Sequence, residues 1–164
     1  MLENEIYEVV QVPMNVFDVR MAKSGALQKL KDAGIIVFVR SIFLQGLFFM
    51  DPEQVPGSLT STSGLLKKLH ELAERECLSI AQLALSFIRD IESVTGLVIG
   101  SETSEQVADN IKLMESPGFS CDTAAKIRRL SEVTPIETIM NELILRRGVS
   151  MKRQQEEWQK IHKE

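Results

Sequence analysis

The sequence lacks what several functional classes require. Aromatic residues make up 5% of it, with one Trp and one Tyr, so it offers no platform on which single-stranded nucleic acid stacks its bases. Its net charge of -4 provides no general attraction to nucleic acid or to an anionic membrane surface. Its two Cys and two His have no spacing typical of a zinc site. We therefore expect no nucleic-acid, membrane or metal partner.

Long hydrophobic runs and targeting signals are also missing. The longest apolar run, "SIFLQGLFFM" (residues 41–50), contains a Gln and is much shorter than a bilayer span. The first residues, "MLENEIYEVV", are acidic and do not have the basic segment that opens a secretory signal. Cys77 and Cys121 are then interpreted as reduced thiols. These features predict a cytoplasmic protein, and 164 residues suit a single domain.

Three β-rich segments, residues 6–14, 34–43 and 94–100, are separated by helical patterns. Each is almost continuously apolar, which predicts strands covered on both faces. Amphipathic stretches occupy residues 24–34 and 63–76, and two further helices begin at Ser79 and Thr103, each with a Gln three residues later as in a capping box. This alternation predicts an α/β fold with parallel strands.

The remaining sequence is helical in pattern. Residues 121–133 predict a helix with Asp122 as N-cap, and residues 134–148 predict another with Thr134 as cap and Glu137 closing a capping box. The charged tail, residues 149–164, is interpreted as a solvated helix or a linker.

Polar residues follow the third and first predicted strands. At the junction of Gly100 and Ser101, free backbone N–H groups and the positive end of a helix predict a phosphate site. Gln106 and Asn110 are four residues apart and share a helix face, so both can reach one ligand. The alternative is a capped helix whose polar side chains face water. After the first strand, residues 15–20 contain an Asn, an Asp and an Arg that suit a loop ion pair or a role near substrate.

Three motifs together resemble the aldo-keto reductase family. "VVQVPMNVFD" (residues 9–18) is similar to the sixth barrel strand, "GIIVFVRSIFLQGLF" (residues 34–48) to the seventh, and "VIGSETSEQVADN" (residues 98–110) to the segment after the last strand. The resemblance implies an α/β fold that is a partial (β/α)8 TIM barrel, the C-terminal half, with extra C-terminal helices. Residues 1–133 would form the half-barrel, and residues 134–164 a helical extension or tail.

The resemblance also implies a site for NADP or NAD. Gln11 would bind the nicotinamide carboxamide, and Arg40 occupies the position of the aromatic residue that usually stacks on that ring. The pyrophosphate would be lined by Ser41, Leu44 and Gly46, and the adenosine end would be held by Gly100, Ser101, Gln106, Asp109 and Asn110. Family members that prefer the 2′-phosphate commonly carry Lys and Arg where this sequence has Gly100 and Gln106, so the preference is open.

The family's catalytic residues, a Tyr with a neighbouring Lys, His and Asp, come from the first half of the barrel. Tyr7 is the only Tyr here, and no such set surrounds it in sequence. The chain is therefore expected to be the cofactor-binding half of an oxidoreductase acting on aldehyde or sugar carbonyls, inactive by itself; the alternative is a non-catalytic nucleotide-binding or interaction protein. Its open strand edges and apolar interior predict self-association or pairing with a missing N-terminal half-barrel.

Overall fold

The computed structural model describes residues 7–161, and side chains through residue 148. Three parallel strands form one sheet in the order β1-β2-β3: β1 is Val9–Pro13, β2 is Ile36–Arg40 and β3 is Gly96–Val98. The predicted α/β fold with parallel strands is confirmed. The strands are shorter than the apolar segments, and residue 6, where the first prediction began, lies outside the described residues.

Helices pack against one face of this sheet. They are α1 (Arg20–Lys23), α2 (Ala26–Asp32), α3 (Ser63–Arg75), α4 (Ile80–Arg89), α5 (Ser104–Met114), α6 (Cys121–Val133) and α7 (Ile136–Ile161). The loop after β2 contains short 3-10 helices at Leu44–Phe49, Pro52–Gln54 and Gly57–Thr62. Of the helices described, none combines the length and apolar character needed to cross a membrane.

The two faces of the sheet have different environments. Val10, Val37 and Val39 are buried in a core shared with leucines of α2, α3 and α4. The opposite face exposes four large apolar side chains, by 37–49%: Val9, Ile36, Phe38 and Val98. The prediction of strands covered on both faces is therefore wrong for the described residues, because helices pack on only one face. We call the other one the open face.

Gly96 leaves room for an aromatic side chain of this open face. A Cβ at position 96 would lie 2.6 Å from Cε1 of Phe38, so the aromatic ring extends across the backbone of β3. A glycine in a strand often marks such a close approach. The pair Phe38 and Gly96 also face each other in the register of β2 and β3.

The predicted helix starts are partly confirmed. At α4, Ser79 Oγ accepts the N–H of Gln82 at 3.2 Å, and Gln82 Oε1 accepts the N–H of Ser79 at 2.8 Å, which completes the capping box. At α5, Thr103 Oγ1 accepts the N–H of Gln106 at 3.3 Å. Gln106 Oε1, however, accepts the N–H of Glu102 rather than that of Thr103, so the second box is only half formed.

Two predicted caps are wrong. The N-cap of α6 is Ser120, whose Oγ accepts the N–H of Thr123, and Asp122 lies within the first turn. At α7, the hydroxyl of Thr134 donates to the carbonyl of Leu130, and the carboxylate of Glu137 binds Arg20. At α7, the preceding helix and a partner distant in sequence engage the groups that a local pattern assigned to capping, whereas at α6 the carboxylate of Asp122 binds Lys126 one turn later in the same helix.

Two helix boundaries also differ from the prediction. The stretch 24–34 contains the single helix α2, Ala26–Asp32, which begins two residues later than the pattern because Gly25, its N-cap, has a φ of +72°. Residues 136–148 and most of the tail form the single helix α7, Ile136–Ile161, which continues through Gly148. Residues 162–164 of the predicted tail lie outside the described residues.

Glu76 joins α6 to the turn between α3 and α4. Its carboxylate accepts the N–H of Ser120 at 3.1 Å and the hydroxyls of Ser120 and Thr123, each at 2.5 Å. These hydrogen bonds, with the Ser120 hydroxyl the largest influence, hold the pKa of Glu76 below its ordinary value. The ionised form of Glu76 therefore stabilises the docking of α6.

We expect acid to weaken this docking. Because the pKa of Glu76 is lowered in the folded chain, its contribution is present above the unfolded-state pKa and is lost as pH falls through the folded-state pKa. Glu76→Gln should lower Tm by about a few degrees at pH 7 and by less at pH 3. Thermal unfolding at the two pH values measures this. Glu74→Gln, at an exposed position on α3, is the matched control, and an equal effect of both substitutions would contradict the assignment.

Candidate functional site

The carboxyl ends of the three parallel strands lie at one edge of the sheet. Arg40 at the end of β2 is opposite Pro13 of β1 on one side and Val98 of β3 on the other. The segment after β2 and the segment between β3 and α5 therefore leave the sheet side by side. In open α/β sheets, ligands bind at this edge.

The segment after β2 begins with a strained turn. Ser41, Leu44 and Gln45 have φ values of 64°, 47° and 55°, and Gly46 has 85°. Non-glycine residues adopt the left-handed region rarely, and clusters of them are typical of functional sites. Hydrogen bonds from the N–H of Leu44 to Ser41 O (3.0 Å) and from the N–H of Gly46 to Phe43 O (2.9 Å) hold the turn. Because the Leu44 side chain is fully buried, only the backbone of that residue is offered to a ligand.

Gln45 is a residue of this turn that the sequence pattern did not indicate. It is exposed and lies between two selected positions, Leu44 and Gly46. The available signal was a polar residue directly before a glycine in the loop that follows a predicted strand.

Gln11 and Arg40 both lie on the open face. Gln11 is opposite Phe38, and Arg40, two residues after Phe38 on the same face of β2, is closer to the carboxyl edge. The Arg40 guanidinium donates from Nη1 to Ser41 Oγ at 3.2 Å. This contact associates the guanidinium with the strained turn, and it brings a positive charge to the edge where β2 ends.

The junction after β3 brings together three of the predicted residues. Asn110 Nδ2 donates to Ser101 Oγ at 3.0 Å, and Gln106 Oε1 accepts the N–H of Glu102 at 2.7 Å. Both helix side chains thus reach back over the same short loop, as their four-residue spacing predicted. Gly100 is exposed, and a Cβ placed there would meet no atom within 4 Å.

The charge at this junction is negative. Glu105, in the first turn of α5, is bonded by its own backbone N–H and by the hydroxyls of Thr103 and Ser104, which hold its pKa below the ordinary value. Glu102 is exposed beside it, and Asp109 forms an ion pair with Lys112 at 2.9 Å. A carboxylate already occupies the N-terminus of α5, where the sequence analysis predicted a phosphate.

The loop after β1 contains an ion pair. Arg20 binds Asp18 through Nε at 2.9 Å and Nη2 at 3.0 Å, and it also contacts Glu137 at 3.1 Å. Asn15 is buried, and its Oδ1 accepts the N–H of Phe17 at 2.9 Å. Of the two roles left open for these residues, the structural one is therefore observed.

Comparison with known proteins identifies one matching family and two relatives with the same name. A family model described as the aldo/keto reductase family matches residues 6–132. An L-glyceraldehyde 3-phosphate reductase of Escherichia coli is 27% identical over 136 residues, which are 71% of this chain and 39% of that protein. A second reductase of that name, from another Escherichia coli strain, is 34% identical over 62 residues, 38% of this chain and 18% of that protein. The chain thus spans about two-fifths of the length of the first relative.

Solved structures show the same architecture. A holo form of an aldo-keto reductase from Bacillus halodurans matches 79% of this chain and 44% of its own, with 20% identity and a TM-score of 0.64. A glycerol dehydrogenase from Gluconobacter oxydans matches 77% of this chain and 43% of its own, with 16% identity and a TM-score of 0.60. At these identities the likeness concerns the fold alone.

Proposed function

The chain belongs to the aldo/keto reductase family, a family of NAD(P)H-dependent oxidoreductases, and we propose that it is the part of such an enzyme that binds the nicotinamide cofactor. The observation that carries this proposal is the position of the strained turn at residues 41–46 and the polar junction at residues 100–110, which follow neighbouring strands at the carboxyl edge. The corresponding architecture is the C-terminal half of a (β/α)8 barrel, residues 1–133, with residues 134–164 as an extension.

The turn suits a pyrophosphate. Its left-handed backbone resembles the concave arrangements in which proteins bind anions, and Ser41 contributes a hydroxyl. Arg40 adds the positive charge, since its guanidinium contacts Ser41. We therefore assign Arg40 to the cofactor's phosphates rather than to stacking on its nicotinamide ring, while Gln11 on the open face binds the carboxamide.

The junction suits the adenosine end. The hydroxyl of Ser101 and the amide of Asn110 are hydrogen-bonded to each other. Both groups can replace this hydrogen bond with one to a ribose hydroxyl. Gln106 holds the loop through Glu102, and Asp109 lies next to Asn110 for the adenine amine. Because Glu102 and Glu105 add negative charge here, the junction does not favour a 2′-phosphate, and we propose little preference for NADP over NAD.

Bound nicotinamide is the hydride donor for carbonyl reduction in this family. The protonation of the carbonyl oxygen needs a tuned acid, and Tyr7, the only Tyr of the chain, is 52% exposed ahead of β1. We therefore expect the 164-residue chain to show no reduction of glyceraldehyde with NADH or NADPH, and measurable turnover would contradict this. The names of the two Escherichia coli relatives favour a small aldehyde as the substrate of the complete enzyme.

The cofactor assignment is tested by titrating the purified chain with NADH and with NADPH while nicotinamide fluorescence is followed. Saturable binding of both is expected. Arg40→Gln should weaken both by about tenfold, because the pyrophosphate is common to the two cofactors.

Arg146→Gln is the matched control, since it removes the same charge from an exposed position on α7. It should leave both affinities unchanged. Absence of saturable binding would contradict the proposed function, and equal effects of the two substitutions would contradict the role given to Arg40.

A further inference from the structure

A cleft is present on the helical side of the molecule. We propose that the cleft between the beginning of α1, the carboxyl end of α4 and α6 binds a small aromatic carboxylate, with Arg128 as its anion-binding residue. This cleft has a volume of about 540 Å³. Ligand pockets in proteins typically measure roughly 300–1,000 Å³, so the cleft is of sufficient size.

The floor of the cleft is apolar and partly aromatic. Phe87 of α4 and Phe119, just before α6, have nearly parallel rings with centroids 6.4 Å apart. Ala22, Ile91 and Ala124 extend this surface on the neighbouring elements. A flat aromatic ligand would cover these rings with offset stacking, the geometry that aromatic groups prefer.

Among the charged side chains that line the cleft, one cation has no carboxylate partner in the described part of the chain. Three carboxylates line it, and each has a basic partner: Glu132 with Lys23 at 2.7 Å, Glu92 with Lys31 at 2.5 Å, and Asp90 with Arg89 at 2.7 Å. Arg128 also lines the cleft, and its guanidinium makes no hydrogen bond or ion pair to any residue that the structure describes. A monoanion would balance this remaining charge, and a carboxylate matches the planar fork of a guanidinium.

This site is independent of the cofactor site. Its lining residues include 90–93, which lead into the amino end of β3, whereas the cofactor junction follows the carboxyl end of that strand. Its lining residues lie in or beside α1, α4 and α6, and none belongs to β1, β2 or β3. The site therefore requires neither the cofactor nor further barrel strands.

Cys121 provides a direct measurement of occupancy. It lines the cleft and is exposed, whereas Cys77 is exposed but does not line it. Alkylation of both thiols by iodoacetamide is followed by mass spectrometry at increasing concentrations of 2-naphthoate, without cofactor. Saturating 2-naphthoate should slow alkylation of Cys121 by about fivefold or more and leave Cys77 unchanged, because a bound ligand shields one thiol only.

Variants and a neutral probe identify the anion-binding residue. Arg128→Gln should weaken the protection by 2-naphthoate about tenfold, and 2-naphthamide should protect poorly even with the original Arg. Arg129→Gln, at the adjacent position of α6, lines a different groove and should have no effect. The proposal is overturned if Cys121 is not protected, if both cysteines are slowed equally, or if Arg129→Gln weakens protection as much as Arg128→Gln. Equal protection by naphthamide would remove the carboxylate from the proposal.

Discussion

Gly100→Lys combined with Gln106→Arg should increase the affinity for NADPH about a hundredfold and change the affinity for NADH by about threefold at most. The two cofactors differ only by the 2′-phosphate on the adenosine ribose. In the proposed site that phosphate would meet Glu102 and Glu105 without a cation to compensate it. Two added positive charges at this loop would offset the negative charges of Glu102 and Glu105, so the local charge would become about neutral.

The local geometry permits both substitutions. Gly100 is exposed with no atom within 4 Å of a new Cβ and no positive φ, so Lys fits there without strain. Gln106 is also exposed, and its replacement loses only the bond from Gln106 Oε1 to the N–H of Glu102. Glu105→Gln should add to the effect, because it removes the carboxylate that now occupies the N-terminus of α5.

The measurement is the ratio of the two dissociation constants, obtained by the same fluorescence titration at fixed ionic strength. Gly148→Lys with Gln28→Arg is the matched control, since the same residue types receive the same charges on α7 and α2. General electrostatic attraction would improve NADPH binding in both double variants. In that case, residues 100 and 106 would not contact the 2′-phosphate.

The sequence predicted the fold where local and tertiary preferences agree. Ser79 and Gln82 bond to each other because no other group competes for them, and the predicted capping box forms. Glu137 has the same local pattern, but Arg20 lies near it in the fold, and the carboxylate binds that cation instead. A partner 117 residues away cannot be inferred from a four-residue motif.

The candidate site follows the same rule. The side chains of Gln106 and Asn110 reach one loop, as helix periodicity predicted, since their spacing is local information. The left-handed conformations of Ser41, Leu44 and Gln45 were not predicted, because these residue types avoid that region unless the surrounding structure imposes it. Here the burial of Leu44 anchors the turn in the core, and this is a tertiary effect.

The apolar strands predicted coverage of both faces of the sheet, and within the described residues only one face is covered. Val9, Ile36 and Phe38 have the apolar character of buried residues, yet they are exposed on the open face. Such a contiguous apolar surface is uncommon on monomers and marks an interaction site. We propose that the open face is covered in the working protein, by further barrel strands or by another copy of the chain.

The 164-residue chain should therefore associate through the open face, and Ile36→Glu with Val98→Glu should weaken this association by about a hundredfold or more. These positions are 41% and 43% exposed, so the charges cost little in a monomer but would be desolvated in an interface. Sedimentation velocity across a concentration series measures the change. The variant should remain near the monomer mass of 18.5 kDa at concentrations where the original chain is larger.

Two exposed apolar positions on α5 provide a control that shows whether the effect is specific to the sheet. Val107 and Ile111 lie four residues apart on α5 and are 48% and 61% exposed, so Val107→Glu with Ile111→Glu introduces the same charges on a different exposed surface. If the open face drives association, the α5 double variant keeps the larger mass. If the α5 variant becomes monomeric and the sheet variant does not, the helix carries the interface, and the exposed side chains of the open face do not determine assembly.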